Sequence, residues 1–389
     1  MELKPGYLCP PGYKQTEVGL VPEEWDVANV GDVCTLINGR GFKPYEWKTS
    51  GLPIIRIQNL NGSEDFNYYT GSYNPKILVE TGQLLFAWSG SRGTSFGPHV
   101  WYGGRALLNY HTWKVVVKES KATQEFLLHA LRHLTSYIED RAHGASALVH
   151  TQKWEMEKFP ILIPSSLPEQ RAIAEALSDM DALIGALDQL IAKKRDLKQA
   201  TMQQLLTGQT CLPGFNGKWE RRTIAQIAPL QRGFDLPTSD IKTGNFPVVY
   251  SNGVLNYHAN SMAKGPGVVT GRSGTIGKVT YVEQDYWPHN TSLWVTSFKG
   301  NDPKFIFYLY TAIGFERFGT GSGVPTLNRN DVHSFELDFP SDHAEQTAIA
   351  EVLSDMDAEL AALEQRRDKT RDLKQGMMQE LLTGWIRLV

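Results

Sequence analysis

Two glycine-rich segments carry residue types that hold phosphate or nucleic acid. One runs from Gly271 to Lys278 as GRSGTIGK, and the other runs from Ser89 to Thr94 as SGSRGT. The first is not a Walker phosphate loop, because five residues separate its first glycine from Gly-Lys and Val279 follows in place of Ser or Thr. Both segments could present backbone N–H groups and basic side chains to DNA phosphates. An ordinary β-turn is the alternative for each.

Base-reading chemistry adds further candidates, since arginine is the usual bidentate partner of guanine and an amide side chain that of adenine. The candidate DNA-binding residues are Arg40, Arg56, Gln58, Asn59, Ser89, Ser91, Arg92, Thr94, Arg232, Asn252, Arg272, Ser273 and Lys278. Arg40 and Arg232 belong to two Arg-Gly-Phe segments. Their recurrence favours a structural role, because domains of different specificity should read different bases. The three amides lie at predicted strand ends, where such residues often only close turns.

Catalytic chemistry finds little support. The sequence contains no NPPY-like or DPPY-like tetrapeptide, no FxGxG loop, and no GxSxG or HExxH motif. Glu46-Trp47-Lys48 could end a nuclease motif but lacks a paired acidic element. The histidines show no metal-ligand spacing, and Cys9, Cys34 and Cys211 are too widely spaced for a zinc site. The sequence therefore predicts a protein that is not an enzyme and that holds no metal ion.

A long internal repeat organises the elements that would position these candidates. Glu169–Gly208 recurs at Glu345–Gly384 without a gap, and 27 of the 40 positions are identical. Apolar residues step by four and three along both copies, which predicts two long helices with a coiled-coil seam. The predicted seam residues are Ile173, Leu177, Met180, Ile184, Leu187, Ile191, Ile349, Leu353, Met356, Leu360 and Leu363. The simplest arrangement packs the two helices on each other; the alternative is that each lies on its own domain.

Capping residues mark both ends of each predicted helix. Ser166 and Asp342 are each followed three positions later by a glutamate, a pattern that predicts a capping box. Gly208 and Gly384 predict the C-terminal ends. The predicted helical segments are thus 165–208 and 341–389.

The remaining segments, 1–164 and 209–340, read as two α+β globular domains with short strands and turn-rich connections. They resemble each other faintly, since Asn109–Trp113 and Asn290–Trp294 have matching spacing. We therefore expect two mixed α/β domains separated by two long antiparallel coiled-coil helices, with approximate internal twofold symmetry. Near-identical helices and divergent domains suggest a shared scaffold that holds two heads of different specificity.

The charge distribution agrees with DNA contact by the heads. The chain has 389 residues and a net charge of -3, which at first argues against nucleic-acid binding. However, segments 1–164 and 209–340 have net charges of 0 and +2, whereas 165–208 and 341–389 have -1 and -4. The acidic excess therefore belongs to the helices. No stretch approaches the ~20 apolar residues of a membrane span, so a cytoplasmic protein is expected.

In its repeated helical segments and in its order of domains and helices, the chain resembles the specificity (S) subunit of type I restriction-modification systems. The most specific elements are the repeated EQxAIAExLSDMDA and RDLKQ segments, with Phe159–Pro164 and Phe339-Pro340 leading into them. The resemblance implies a non-catalytic reader of double-stranded DNA, in which each of two target-recognition domains reads one half of a split, asymmetric site. It also implies that the helices form a spacer that fixes the distance between the half-sites.

The same resemblance implies partners and assigns the cofactors to them. Two modification (methyltransferase) subunits would dock on the spacer, and restriction/translocase subunits would complete the enzyme. S-adenosylmethionine, ATP and magnesium would belong to those subunits, and none to this chain. A competing interpretation makes the chain a coiled-coil bridging protein with two protein-binding heads and no DNA contact.

Overall fold

A computed structural model of the chain describes residues 9–141, 148–320 and 325–388. The chain divides into two compact units, Met1–Ala186 with Arg367–Val389, and Leu187–Arg366. Each unit contains one α+β domain and parts of two long helices, which agrees with the predicted fold class.

The first unit consists mainly of short strands, and its two largest sheets have four strands each. Its strands are β1 (Tyr13–Thr16), β2 (Gly19–Pro22), β3 (Trp25–Asn29), β4 (Cys34–Asn38), β5 (Leu52–Ile55), β6 (Asn67–Tyr69), β7 (Leu78–Val79), β8 (Leu84–Ala87), β9 (Ser89–Ser91), β10 (Gly97–Val100), β11 (Ala106–Leu108), β12 (Thr112–Val117), β13 (Leu148–His150) and β14 (Pro160–Pro164). Its helices are α1 (Val30–Val33), α2 (Ile57–Leu60), α3 (Gln124–Arg141), α4 (Lys153–Lys158) and α5 (Leu167–Leu206), the last of which continues into the second unit. The antiparallel main sheet has the order β10-β8-β12-β4. A second sheet, β6-β5-β11-β7, pairs β5 with β11 in parallel.

The second unit repeats this plan with shorter elements. Its strands are β15 (Trp219–Thr223), β16 (Leu230–Arg232), β17 (Phe246–Tyr250), β18 (Gly253–His258), β19 (Gly267–Gly271), β20 (Val279–Val282), β21 (Trp287–Pro288), β22 (Ser292–Val295), β23 (Gly319–Thr320), β24 (Thr326–Leu327) and β25 (Glu336–Pro340). Its helices are α6 (Ile224–Ile227), α7 (Pro303–Ile313), α8 (Arg329–His333) and α9 (His343–Leu381), the last of which continues into the first unit. The sheets β20-β19-β22-β16 and β18-β17-β21 match the two sheets of the first unit. Again β17 and β21 are parallel.

Local sequence explains the boundaries of α7, the helix that supports the second domain. Asp302 accepts hydrogen bonds from the N–H groups of Lys304 and Phe305 at 2.9 and 2.8 Å, and Pro303 occupies the first turn. The helix ends at Gly314, whose φ of 66° lies in the left-handed region that favours glycine.

The long helices pack on the domain cores as well as on each other. In the first unit, Ile173 and Leu177 of α5 share one buried cluster with Phe126 of α3 and Leu381 of α9. In the second unit, Ile349 and Leu353 of α9 share another with Phe305 of α7 and Leu205 of α5. Both arrangements considered from the sequence therefore occur at these ends of the helices. Each long helix packs on its own domain, and residues of the other long helix belong to the same cluster.

Ion pairs give the direction of the two long helices in the second unit. Lys194 pairs with Glu359 at 2.7 Å, and Lys198 pairs with Asp357. The residue number on α9 falls from 359 to 357 as the number of its partner on α5 rises from 194 to 198, so the two helices run antiparallel here. The other predicted seam residues are buried (Leu187, Ile191, Leu360) or half-buried (Met180, Ile184, Met356, Leu363).

The predicted helix ends are confirmed at the glycines, and Asp342 caps α9 as predicted, since its Oδ1 accepts the N–H of Ala344 at 2.9 Å. The two glutamates, however, have partners other than those of a capping box. Gly208 and Gly384 have φ of 71° and 77°, as left-handed C-terminal caps require. The carboxylate of Glu169 instead binds Arg387, and that of Glu345 accepts a hydrogen bond from Trp219 Nε1 at 3.3 Å. Both glutamates are almost fully buried, so their role is tertiary rather than local.

Candidate nucleic-acid interface

The ends of several strands lie close together along one side of the main sheet in the first unit, and this side is called the sheet edge below. The edge segment Asn109–His111 lies immediately before β12 and contacts three of them. It forms a parallel bridge with Arg40 after β4, and Asn109 donates to the carbonyl of Ile55 at the end of β5. Trp88, after β8, donates its N–H to the carbonyl of His111 at 3.2 Å. These bonds gather the candidate segments that follow β4, β5 and β8 around one site.

The second unit builds the same edge from different residues. Here the edge segment is His289–Thr291, which lies before β22. It forms a parallel bridge with Phe234, and the N–H of His289 donates to the carbonyl of Val249 at 2.9 Å. Arg272, after β19, donates its N–H to the carbonyl of Thr291 at 2.9 Å. The backbone pattern is therefore conserved between the units, while the side chains differ.

This pattern corrects the correspondence between the two Arg-Gly-Phe segments. The N–H of Gly39 donates to Thr112 at 3.1 Å, and that of Gly233 donates to Ser292 at 3.0 Å, so the two glycines are equivalent. Arg40 then corresponds to Phe234, whereas Arg232 corresponds to Asn38. A Cβ at either glycine would collide with the carbonyl oxygen of the adjacent edge segment. The repeated feature is the close approach of the backbone, which only glycine permits, and the arginines do not correspond.

Arg40 itself is held within the fold. Its guanidinium forms an ion pair with Glu46 and lies 4.8 and 4.9 Å from the ring centroids of Phe42 and Tyr69. A hydrogen bond with Tyr69 raises the pKa of Arg40 above its usual value. These partners hold Nη2 and the face of the guanidinium, whereas Nη1 is buried without a hydrogen-bond partner among the described residues. The contacts favour a structural role for Arg40.

The three candidates after β5 have different environments. Asn59 is buried; its Oδ1 accepts the N–H of Arg56, and its Nδ2 donates to Ser63 and Asp65 at 3.0 and 2.9 Å. Its amide is therefore fully used in holding the following loop. Gln58 is half-buried and donates to Asp65 at 3.2 Å. Arg56 lies 5.3 Å from the ring centroid of Trp47 and donates to Gln58 Oε1.

The glycine-rich loop of the first unit is an exposed tight turn that is hydrogen-bonded to helix α3. The carbonyl of Ser91 accepts hydrogen bonds from the N–H groups of Thr94, Ser95 and Phe96. Gly93 in the turn has a φ of 70°. The N–H of Gly93 donates to Glu139 Oε1 of α3 at 2.8 Å, which fixes the loop on the domain. Ser91, Arg92 and Thr94 are exposed at its tip, whereas Ser89 is half-buried and pairs with His150 in β13.

In the second unit the loop after β19 packs against the turn between β17 and β18. Lys278 Nζ donates to the carbonyl of Asn252 at 2.5 Å, and both residues are exposed. Gly271 permits this approach, because a Cβ there would collide with Thr275 and lie 2.7 Å from the carbonyl of Ser251. The half-buried Ser273 forms a bridge with Thr326, and Arg272 beside it is half-buried. The fold thus brings four of the sequence-predicted residues, Asn252, Arg272, Ser273 and Lys278, into one region.

Arg232 lies at the same sheet edge, at the end of β16. Its guanidinium pairs with Asp235 at 2.9 Å, and Asp235 also accepts from Asn290 of the edge segment. About half of the Arg232 side chain is exposed.

Aromatic rings beside the two edge segments were not among the sequence-predicted residues. Tyr110 and His111 have ring centroids 3.7 Å apart, and Tyr250 and His289 have centroids 4.2 Å apart. Burial lowers the pKa of both histidines, so they are neutral at neutral pH. Tyr110 is 47% exposed and could stack on a base. The matched spacing of Asn109–Trp113 and Asn290–Trp294 pointed to these segments, but it is wrong by one residue, because the hydrogen bonds make Asn109 equivalent to His289.

Two kinds of site are absent from the described residues. Within 9–141, 148–320 and 325–388, no group of three or more His, Cys, Asp or Glu residues is arranged to hold a metal ion. No helix in these same ranges is both long enough and apolar enough to cross a membrane.

Comparison with known proteins agrees with this two-unit organisation. The family model "Type I restriction modification DNA specificity domain" matches residues 22–193 and 216–370, one match in each half. In Methanocaldococcus jannaschii, the type I restriction enzyme MjaVIII specificity subunit is 22% identical over 95% of this chain and 94% of its own length.

Two solved structures share the fold. The crystal structure of the type I restriction-modification system S subunit from M. genitalium covers 92% of this chain and 96% of its own, with a TM-score of 0.63 and 15% identity. A structure from work on complex assembly of the type I R-M system covers 94% and 99%, with a TM-score of 0.59 and 13% identity. Since the family model matches most of the sequence in two successive copies, the chain belongs to the type I restriction-modification DNA specificity family.

Proposed function

We propose that the chain is the non-catalytic DNA-specificity subunit of a type I restriction-modification enzyme. Each α+β domain reads one half of a bipartite, asymmetric site, and partner subunits carry out adenine methylation and restriction. The observation that carries this proposal is the repeated sheet edge: one backbone scaffold occurs twice and presents different side chains. A protein that reads two different half-sites needs this combination of a constant frame and variable contacts.

The proposed DNA contacts are the exposed or half-exposed candidates at the two sheet edges. In the first unit they are Arg56, Gln58, Ser91, Arg92 and Thr94, supported by Ser89. In the second unit they are Arg232, Asn252, Arg272, Ser273 and Lys278. Arg40 and Asn59 hold the surrounding loops through the contacts described above. Cationic residues in these loops supply phosphate attraction, which is local because the total charge of the chain is slightly negative.

The long helices act as spacer and as docking surface for two modification subunits. Leu190 and Leu197, seven residues apart on α5, are 38% and 51% exposed, and Leu373 on α9 is 59% exposed. Leucines at heptad spacing on a solvent-facing helix are typical of a surface that a partner helix covers. S-adenosylmethionine, ATP and magnesium belong to the modification and restriction subunits. The assembled enzyme acts on DNA in the cytoplasm.

Methylation mapping tests this function directly. Cells that carry the chain with its cognate modification subunit should show adenine marks at one bipartite motif, and deletion of the chain should remove them. Exchange of residues 1–164 for the equivalent domain of a relative should change one half of that motif. Unchanged marks after the deletion, together with a purified complex that prefers no duplex, would refute the proposal and favour the bridging protein without DNA contact.

A further inference from the structure

A carboxylate on the first spacer helix joins three elements of the first unit. Asp181 of α5 accepts a hydrogen bond from Arg132 of α3 at 2.6 Å through Oδ2. Its Oδ1 accepts a hydrogen bond from Lys374 of α9 at 2.5 Å. The same ion group therefore connects the recognition domain with both spacer helices, and Lys374 is only 16% exposed.

The second unit repeats this carboxylate 176 positions later. Asp357 of α9 accepts a hydrogen bond from the hydroxyl of Tyr308 of α7 at 2.8 Å through Oδ2. Lys198 of α5 forms an ion pair with its Oδ1. Asp357 and Lys198 are the repeat equivalents of Asp181 and Lys374, so the helix-to-helix pair is constant. The partner from the recognition domain differs, being a cation in one unit and a phenol in the other.

A second attachment lies eleven positions earlier on each helix. Gln170 Oε1 accepts the N–H of Thr123 at 2.8 Å, which lies just before α3. In the second unit Gln346 Oε1 accepts the N–H of Asp302 at 2.9 Å, just before α7. At 1.5 Å per residue the two attachments are about 16 Å apart along the spacer helix. Two attachments this far apart fix the direction of the domain helix as well as its position.

We propose that Asp181 and Asp357 are positioning residues that set the orientation of each recognition domain on the spacer helices, and so restrict the half-site spacing that the enzyme accepts. This inference rests on the proposed function. The glutamine and the buried contacts of Ile173 and Ile349 hold the start of each domain helix, whereas the carboxylate bonds a residue further along it. Removing the carboxylate bond therefore leaves the start of the helix attached and weakens the resistance of the domain to tilting. A domain that tilts would place its sheet edge at a different base pair along the DNA.

Two domain-side variants isolate this effect from helix pairing. Arg132→Gln and Tyr308→Phe remove the domain partner of Asp181 and Asp357, respectively, and leave the Asp–Lys pairs intact. Arg195→Gln is the matched control, because Arg195 pairs with Glu364 on the neighbouring spacer helix. Each chain is expressed with its modification subunit, and the adenine methylome of the cells gives the spacer length at every methylated site. Thermal unfolding of each purified complex verifies folding.

The wild-type and control complexes should methylate one spacer length. Arg132→Gln and Tyr308→Phe should raise the fraction of marks at spacers one base pair longer or shorter by about tenfold, as expected for the loss of one hydrogen bond to a charged group. If both variants fold and keep the wild-type spacer distribution, the positioning role is overturned while the DNA-reading function stands. A wild-type complex that marks no defined motif would instead overturn the proposed function.

Charge exchange gives a second test. Asp357→Lys with Lys198→Asp restores the ion pair, and the hydroxyl of Tyr308 can accept a hydrogen bond from the new lysine. This pair of changes should retain one spacer length. Asp181→Lys with Lys374→Asp would place a lysine against Arg132, so spacing should relax there. The reverse outcome, with relaxed spacing only in the second unit, would contradict the inference.

Discussion

The C-terminal tail supplies the charge partner of a buried carboxylate, and removing that partner should destabilise the first unit. Arg387 Nη2 donates to Glu169 Oε2 at 2.8 Å and to Glu24 Oε2 at 2.9 Å, and Nε also binds Glu169. The hydrogen bond to Glu169 is the main cause of a raised pKa for Arg387. Glu169 is only 1% exposed, so without Arg387 its carboxylate would lose a charged partner in a dry environment. We choose Arg387→Met, which removes the charge and retains much of the side-chain stem.

The magnitude follows from burial. Breaking a fully buried ion pair costs about 3–5 kcal/mol. Arg387 is 29% exposed, so water can partly replace it, and a loss of about 2 kcal/mol is expected. For a cooperative unit of about 200 residues this corresponds to a decrease in Tm of about 4–8 °C. Differential scanning calorimetry of the purified chain measures this change.

The second unit offers the reciprocal experiment. Ile386 donates its N–H to Glu380 and Thr210 donates to Gln204, two bonds that lie 176 positions apart. Cys211 therefore occupies the position that corresponds to Arg387. The equivalent glutamate, Glu345, has a buried Oε2 that lacks a hydrogen-bond partner in the described part of the chain. Cys211→Arg should provide that partner and stabilise the second unit by about 1 kcal/mol.

Arg195→Met is the control for both substitutions. Its ion pair with Glu364 is exposed on both sides, and such pairs contribute about 0–1 kcal/mol. If Arg387→Met lowers the Tm no more than Arg195→Met does, the buried carboxylate does not depend on the tail and the reasoning fails. A Cys211→Arg chain that is less stable than wild type would show that Glu345 is better left unpaired.

Three other outcomes follow from the structure. Burial lowers the pKa of His129 to about 4 from 6.5, so its stability contribution is complete above pH 6.5 and falls as the pH drops toward 4. His129→Gln, which cannot be protonated here, should therefore lose less stability than wild type between pH 7 and pH 5, by up to about 2 kcal/mol in urea titrations; parallel curves would contradict this. Leu177→Pro or Leu353→Pro should cost about 3 kcal/mol or more and weaken assembly with modification subunits, which size-exclusion chromatography of the complexes would detect. Lys278→Gln should reduce the slope of log Kd against log salt by about 1, measured by fluorescence anisotropy with the mapped site, and an unchanged slope would remove Lys278 from the phosphate contacts.

Some features of this protein could be predicted because their signals are local or repeated. The 40-residue repeat, its heptad periodicity and its terminal glycines predict long helices that end at Gly208 and Gly384. Helix periodicity and left-handed caps depend on neighbouring residues, so sequence spacing is sufficient to find them. The same repeat also carried the resemblance to the specificity subunits.

The contacts of individual candidate residues could not be obtained in this way. Sequence spacing paired Arg40 with Arg232, whereas the hydrogen-bond register pairs Gly39 with Gly233. A capping box was the local expectation for Glu169, but Arg387, 218 positions away, takes its carboxylate. Such partners are chosen when distant strands and helices pack, and a shift of one residue changes every pair along a strand.

The sequence by itself thus determined the order of domain, helix, domain and helix, the lengths of the helices, and the family. The tertiary structure decided which residues share the two sheet edges and which candidates hold the fold. It also showed that the carboxylates of Asp181 and Asp357 are among the groups that join each domain to the long helices. Periodicity depends only on the spacing of residues in the sequence, whereas the contacts of distant side chains depend on long-range packing and backbone register.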